Sequence, residues 1–292
     1  MIAFNLIAPI ELSRAGARAR GFSLVEMALV LLIVGLLAAV FLPATNTFLD
    51  NSRRKETRAK LEALEQAMVR FVMVNRRLPC PADGALAPGN ANQGLELGAA
   101  GVCNPATQIN GVVPWRSLGL AQRDAMDAWS TMVTYRVWGG ANTLTVHTVA
   151  GTGMDMKNLD PATPGAVSGW LASRGFRVCN AAACPVTVPV DAAELASKVN
   201  GNGVAYVLIS HGANRFGGFT ADGNYLGTSS GPAPGPLENI NRNTLALRSG
   251  APDDFYIDTE FREDPAAYYD DIVLRPTIIS VAMAAGLGPR KP

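Results

Sequence analysis

The sequence has few of the residues that most catalytic and metal-binding sites use. Only two of its 292 residues are histidine, His147 and His211, which argues against a histidine-based metal site. Its four cysteines lack paired C-x₂-C spacing, and neither a G-x-S-x-G elbow nor an H-E-x-x-H motif occurs. Charged residues are 17% and the net charge is +1, so bulk charge indicates no polyanionic partner.

One pair of residues invites an enzymatic interpretation. Ser210 and His211 follow a strongly β-forming run and precede a glycine-rich turn. Adjacent residues on a strand point to opposite faces, so the two side chains cannot easily share a proton. We therefore expect no catalytic activity. Nucleic acid is also an unlikely partner on this evidence, because Arg242, Arg248 and Arg262 are scattered rather than clustered.

One nearly unbroken apolar run lies near the start of the chain. Sixteen consecutive residues, from Met27 to Leu42, have no polar side chain, and the run reaches twenty-one when counted from Phe22. That length allows a helix to cross a hydrocarbon core of about 30 Å. Glu26 is its single carboxylate, and a charge there costs about 2.5–3.5 kcal/mol at the bilayer centre and less near an end. Such a carboxylate indicates a function and a partner.

Two common targeting segments explain this run poorly. A cleaved Sec signal peptide has a shorter apolar region, followed by a small-residue cleavage site that is missing here. An ordinary signal anchor is the second alternative, but lysines and arginines flank both ends and leave its orientation undecided. They are Arg14, Arg18, Arg20, Arg53, Arg54, Lys55 and Arg58.

Residues 20–26, Arg-Gly-Phe-Ser-Leu-Val-Glu, resemble the processing signal of type IV prepilins and type II secretion pseudopilins. The resemblance implies that a prepilin peptidase cuts after Gly21, on the cytoplasmic side, and methylates the new N-terminal Phe22. It also makes Glu26 the assembly carboxylate, which would accept from the amine of a neighbouring subunit and set the register between subunits. Pro43 falls where many pilins have a helix-kinking proline.

Beyond Pro43 the pattern predicts an amphipathic helix that continues to about Arg76. Apolar residues recur at three- and four-residue spacing, opposite a charged face. They are Leu61, Leu64, Met68, Phe71 and Val72. Pro79 and Pro81 predict the end of the helix.

The remainder of the chain has the pattern of short strands and loops. We predict strands at 133–138, 144–149, 203–210, 253–261 and 271–279, the first two as a hairpin, with a loop-rich insertion at 150–200. The expected fold class is α+β: a long N-terminal helix, transmembrane in its first half, packs on an antiparallel sheet in a pilin-like arrangement. The expected segments are a leader at 1–21, a transmembrane and assembly segment at 22–42, its amphipathic continuation at 43–78 and an extracytoplasmic β-rich domain at 79–292.

All four cysteines follow the apolar run, and their even number fits two disulfides in an exported domain. Four cysteines allow three connectivities, and proximity in the sequence favours Cys80–Cys103 and Cys179–Cys184. Free buried cysteines are the alternative.

Two further stretches resemble pseudopilins. Asp127, Trp129 and Tyr135 match a D-x-W-G motif that leads into a tyrosine-containing strand, although Ser130 stands where glycine is usual. Later, Gly212-Ala213-Asn214, Gly217-Gly218 and Asp270-Asp271 follow the order of the calcium loop of major pseudopilins. The resemblance implies calcium as a possible cofactor, with oxygen ligands from Asn214, Asp270 and Asp271.

Two residues between these stretches, Asp222 and Asn224, are further oxygen donors for such a site. A turn and a strand end held by side-chain hydrogen bonds are the alternative to a calcium site.

The resemblance implies a structural subunit of a type IV pilus or type II secretion filament, either a minor pilin or a pseudopilin. Its implied partners are the prepilin peptidase, other pilins or pseudopilins, and the inner-membrane assembly platform. The implied location is the inner membrane, crossed once with the C-terminal domain in the periplasm, and afterwards the filament. The alternative is a membrane-anchored binding module or adhesin that never enters a filament.

Overall fold

The computed structural model describes residues 23–99, 102–104, 110–138, 144, 154, 175–181, 201–243 and 255–287. Several predicted features lie outside these residues, namely Gly21, Phe22, Cys184, most of the strand at 144–149 and most of the insertion at 150–200. The chain divides into two units, residues 1–49 and 50–292. The first helix, α1 (Leu24–Asn75), contributes residues to both.

In the first unit, α1 presents apolar side chains to solvent. Leu24 is 90% exposed and Leu32 is 67% exposed. The helix starts with a reciprocal cap, because the Ser23 N–H donates to Glu26 Oε2 at 3.1 Å and the Glu26 N–H donates to Ser23 Oγ at 3.2 Å. Among the described residues, no helix combines the length and apolarity needed to cross a membrane.

In the second unit, α1 buries the predicted apolar stripe. Leu61, Leu64, Met68 and Val72 all belong to the main hydrophobic core. Phe71 lies at the edge of the stripe, half-buried, with the Arg77 guanidinium 5.2 Å from its ring centroid. The helix ends at Asn75, as the sequence predicts, and Arg76 follows in a left-handed conformation with φ 53°.

The strands are β1 (Ala82–Asp83), β2 (Gly98–Ala99), β3 (Val102–Cys103), β4 (Gly111–Val112), β5 (Thr134–Val137), β6 (Phe176–Cys179), β7 (Gly201–Val204), β8 (Tyr206–Ser210), β9 (Phe255–Ile257) and β10 (Ile272–Leu274), and a short helix, α2 (Glu238–Asn241), lies between β8 and β9 in the sequence. The stripe packs beside a five-stranded antiparallel sheet of order β1-β4-β5-β8-β10. Two smaller sheets are β2-β3, which is antiparallel, and β7-β6-β9, in which β6 pairs in parallel with β9. A helix at the N-terminus and an antiparallel sheet give the α+β fold that the sequence predicts.

Two predicted strands differ from the observed elements. The run 203–210 is divided at Ala205, whose N–H bonds Pro276 O at 2.9 Å, so β7 and β8 belong to different sheets. The strand predicted at 271–279 is wrong beyond Leu274, where β10 ends, and a helix, α3 (Ile278–Ala284), takes up the last two residues of the predicted strand. Thr277 Oγ1 accepts from the Ser280 N–H at 3.1 Å and caps this helix, and the cap outweighs the β-branched composition of the run.

The predicted Cys80–Cys103 disulfide is present. Beside it, the Glu96 carboxylate accepts hydrogen bonds from Arg77 Nη1 and Nη2, each at 2.8 Å, and from the Cys80 N–H at 3.0 Å. Burial opposes ionisation of Glu96, but these hydrogen bonds outweigh it and lower the pKa of the carboxyl. Cys179 is also disulfide-bonded, and its predicted partner, Cys184, lies outside the described residues.

The motif around Asp127 forms a tight turn. Asp127 Oδ1 accepts the Trp129 N–H at 2.9 Å and the Thr131 N–H at 2.8 Å, while Oδ2 accepts Ser210 Oγ–H at 2.6 Å. Burial raises the pKa of Asp127 in spite of these bonds. Ser130 has φ 60°, in the left-handed region that favours glycine. The backbone at position 130 therefore suits glycine, the residue usual at this place in the D-x-W-G motif, better than serine.

Replacement of Ser130 by glycine should stabilise the protein. A left-handed non-glycine residue costs about 1–2 kcal/mol, which glycine would recover. About 0.4–1 kcal/mol of that gain is lost again, because glycine also raises the conformational entropy of the unfolded chain. We expect Ser130→Gly to raise the free energy of unfolding by about 0.5–1 kcal/mol in urea titrations. Ser130→Ala is the matched control and should give no gain. Equal stabilities of the glycine and alanine variants would contradict the argument.

Candidate metal centre

The turn after β8 forms one side of a buried acidic cluster. Gly212 has φ 54°, and a Cβ at this position would collide with the Asp270 carboxylate, so both conformation and space require glycine. The next two backbone groups, the Ala213 and Asn214 N–H, donate to Asp270 Oδ2 at 2.7 and 3.0 Å. The Tyr268 hydroxyl donates to the same oxygen at 2.9 Å. One oxygen of Asp270 is thereby fixed in position.

The pairing of β8 with β10 brings the second carboxylate to the same place. Ile272 pairs with Ser210 in the antiparallel register, and continuing that register by one and two residues sets Asp271 opposite His211 and Asp270 opposite Gly212. The sequence separates these residues widely, but the sheet makes them neighbours.

A third carboxylate comes from the short helix α2 (Glu238–Asn241). The Asn214 amide donates through Nδ2 to Glu238 Oε1 at 2.5 Å, and the Asn241 amide donates through Nδ2 to Asp271 Oδ2 at 2.9 Å. The Asn241 side chain also donates through Nδ2 to Ile257 O and accepts the Ile257 N–H through Oδ1, both at 2.9 Å, which ties α2 to β9. The helix therefore supplies one acid and holds another in place.

Glu238, Asp270 and Asp271 form the cluster. One carboxylate oxygen from each lies within 4.8 Å of the others, and their side chains are buried. Each also has one buried oxygen without a hydrogen bond: Oε2 of Glu238, Oδ1 of Asp270 and Oδ1 of Asp271. Native proteins pair almost all such atoms, because an unpaired buried polar atom costs about 1–3 kcal/mol. Three such atoms in one cluster of acids are the arrangement that protons or a cation would stabilise.

Electrostatics favours either protons or a cation among these carboxylates. Burial, together with the charges of Asp271 and Asp270, raises the pKa of Glu238 to about 10. Burial and the charge of Asp270 raise the pKa of Asp271 well above its ordinary range. Hard divalent cations such as calcium bind carboxylate, amide and carbonyl oxygens, so the donor set fits calcium. The cation would neutralise the negative charge of the three buried acids.

His211 completes the wall of the cluster. It is fully buried, its Nε2 lies 2.8 Å from Thr134 Oγ1, and its Nδ1 lies 3.5 Å from Asp271 Oδ1. Burial lowers the pKa of His211 to about 4, so the imidazole is neutral at pH 7. Ser210 Oγ donates to Asp127 instead, so the adjacent serine and histidine serve different hydrogen-bond partners.

The structure brings together two of the three predicted ligands, Asp270 and Asp271. The third, Asn214, adjoins the cluster, but both ends of its amide are engaged: Nδ2 with Glu238 and Oδ1 with the Phe216 N–H at 2.9 Å. It orients a ligand rather than offering a free oxygen. Asp222 and Asn224 are exposed and lie outside the cluster. Sequence analysis missed Glu238, because nothing in the loop PGPLENINRN distinguishes this acid from a solvent-exposed one.

Of the predicted processing and assembly residues, only Glu26 is described. Its Oε2 is engaged by the Ser23 N–H of its own chain, and an acid in the first turn is also stabilised by the helix dipole.

No protein-family model matches the chain, and comparisons with curated proteins and with solved structures gave no match either.

The stability of the protein should depend on pH in a direction set by this cluster. When no cation is present, Glu238 and Asp271 keep protons in the folded state that the unfolded state has already released. The free energy of unfolding should therefore fall as the pH rises from about 5 to 8. Saturating calcium should make the fall smaller, since the cation replaces the protons. Denaturant titrations in chelator and in calcium measure both slopes, and equal slopes would contradict a cation site.

Glu238→Gln should have opposite effects on the free and calcium-loaded protein. In chelator the variant should be as stable as the wild type or more stable, because glutamine is neutral without taking up a proton on folding, while the Asn214 contact is retained. Its calcium affinity should fall at least tenfold, because one charged ligand is lost. Calorimetric titration and thermal unfolding measure the two effects, with Glu260→Gln as the exposed control. A glutamine variant with wild-type affinity would exclude Glu238 as a ligand.

Proposed function

We propose that the chain is a structural subunit of a type IV pilus or type II secretion filament, a minor pilin or pseudopilin assembled through its N-terminal helix. The observation that carries the proposal is a helix whose apolar side chains are exposed and whose first turn holds a single carboxylate, Glu26. Exposed apolar surface of this extent is typical of a segment that other chains or lipid cover.

The sequence before this helix supports the same function. Gly21 and Phe22 match the prepilin cleavage site, and Glu26 stands four residues after Phe22. A neighbouring subunit's N-terminal amine would satisfy the carboxylate, which is costly to leave unpaired in an apolar medium. Before assembly, residues 22–42 would lie in the inner membrane with the C-terminal domain in the periplasm. The prepilin peptidase and the inner-membrane assembly platform would be its further partners.

The second unit is suited to a structural role. The amphipathic half of α1 buries Leu61, Leu64 and Met68 in the main core, and the Cys80–Cys103 disulfide closes the loop that follows the helix. A divalent cation at Glu238, Asp270 and Asp271 would join the ends of β8 and β10 to α2. We assign this cation a role in stability, because the side chains around the three acids hold them in place by hydrogen bonds.

N-terminal sequencing and intact mass of the protein from its own host test the proposal. Wild-type protein should begin at an N-methylated Phe22, and Gly21→Ala should remain uncut, because only a very small residue lets the peptidase approach the backbone. An uncut wild-type chain, or one cut after residue 40, would overturn the proposal and favour the anchored binding module.

Assembly is tested separately with Glu26→Ala. This variant should be processed normally but incorporated into filaments at least tenfold less, as measured in sheared filament fractions. Glu56→Ala is the matched control, because it removes an exposed acid from the same helix and should assemble normally. Normal assembly of Glu26→Ala would remove the carboxylate from the mechanism.

A further inference from the structure

A chain of buried hydrogen bonds runs from Arg136 to the acidic cluster. Arg136 Nη2 donates to Asn243 Oδ1 at 2.6 Å, and Asn243 Nδ2 lies 2.6 Å from Thr134 Oγ1. Thr134 Oγ1 in turn lies 2.8 Å from His211 Nε2. All four side chains are at most 2% exposed. Bulk water therefore cannot compete for any of these hydrogen bonds.

The chemistry of Arg136 fixes the direction of the first two bonds. A guanidinium can only donate, so the Asn243 oxygen must face it and the Asn243 NH₂ must face Thr134. The Thr134 hydroxyl accepts that bond and has one hydrogen left to donate. Among the described residues its only other partner is His211 Nε2. Acceptance from a protonated Nε2 through the second lone pair would leave the buried hydroxyl hydrogen unpaired, so donation to Nε2 is favoured, and the ring N–H then lies on Nδ1.

That proton faces the cluster. His211 Nδ1 is buried, has no hydrogen bond among the described residues, and lies 3.5 Å from the Asp271 oxygen that also lacks one. This distance exceeds that of an N–H···O hydrogen bond, which is about 2.7–3.2 Å, so a small rotation of Asp271 is needed to close it. Among the described residues neither atom has a hydrogen bond, so closing this gap would satisfy both.

We propose that His211 is a positioning residue for the cation site, and that its Nδ1–H holds the Asp271 carboxylate in the orientation that presents Oδ1 to the ion. This inference rests on the cation site proposed above. Partners of this kind fix the geometry of metal ligands, and their loss typically lowers metal affinity about 10–100-fold. Arg136, Asn243 and Thr134 act through the histidine by selecting its tautomer.

The tautomer can be measured independently of calcium affinity. The chain has only two histidines, so ¹⁵N NMR of the histidine-labelled, full-length protein in detergent gives two sets of ring signals, and His147→Gln assigns them. We expect His211 to show a protonated Nδ1 and an unprotonated Nε2 in saturating calcium, where Asp271 is ionised. The opposite tautomer would overturn the inference. Thr134→Val removes the hydroxyl donor and should release this preference.

Calcium affinity tests the positioning role. Calorimetric titration with calcium chloride should show binding weakened about 10–100-fold in His211→Leu, which has no donor. It should be weakened less in His211→Asn, whose side-chain NH₂ can replace Nδ1–H. Thermal unfolding in chelator measures the cost to folding separately. Reduced stability with unchanged calcium affinity in both variants would mean a purely structural histidine and would overturn the inference.

The same experiments separate this inference from the cation site itself. A wild-type protein that binds no calcium would overturn both. Wild-type binding that Glu238→Gln weakens and the histidine variants leave unchanged would retain the site and overturn only the role of His211. Should His211→Leu fail to fold, His211→Asn and the tautomer of the wild-type protein decide the question.

Discussion

The antiparallel pairing of β8 with β10 is the constraint on which the site depends. This register joins a strand from the middle of the chain to one near its end, and it carries His211 and Gly212 past Asp271 and Asp270. Because β8 is fully buried, its side chains cannot exchange faces, and a slip by one residue would move every one of them to the other face. The positions of the acids thus follow from hydrophobic burial elsewhere in the strand.

Burial of three carboxylates in one cluster costs free energy, and hydrogen bonds from the surrounding residues offset only part of that cost. Backbone N–H groups, the Tyr268 hydroxyl and two asparagine amides satisfy one oxygen of each acid, and the other oxygen is left unpaired. Removing such groups from water is unfavourable unless they gain a proton or a cation. Asn214, Asn241 and Tyr268 hold the acids from outside the cluster, and the carboxyl groups of Glu238 and Asp270 also interact with each other across it. A shared proton and a cation are therefore the two ways in which the charge of this cluster can be neutralised.

The sequence predicted local features well and distant ones poorly. The stripe Leu61, Leu64 and Met68 and the end of α1 were predictable because helix periodicity and prolines act within a few residues. The Asp pair was predictable from a family resemblance, but Glu238 was not, since its burial arises from contacts between Asn214 and a loop remote in sequence. The start of α3 was missed because a single threonine cap outweighed strand propensity.

The two acidic features on which the proposals rest belong to different units and differ in their exposure. Glu26 is exposed and would leave water only in the proposed membrane or filament, whereas Glu238, Asp270 and Asp271 are already buried in the folded protein. The Ser23 N–H and the helix dipole partly stabilise Glu26 within its own chain, so a neighbouring amine has only part of the charge to satisfy. The buried cluster has no comparable internal donor at its centre, because His211 faces only one of its acids. The buried acids therefore need a proton or a cation in the folded protein itself, whereas Glu26 would need a partner only in the proposed assembly.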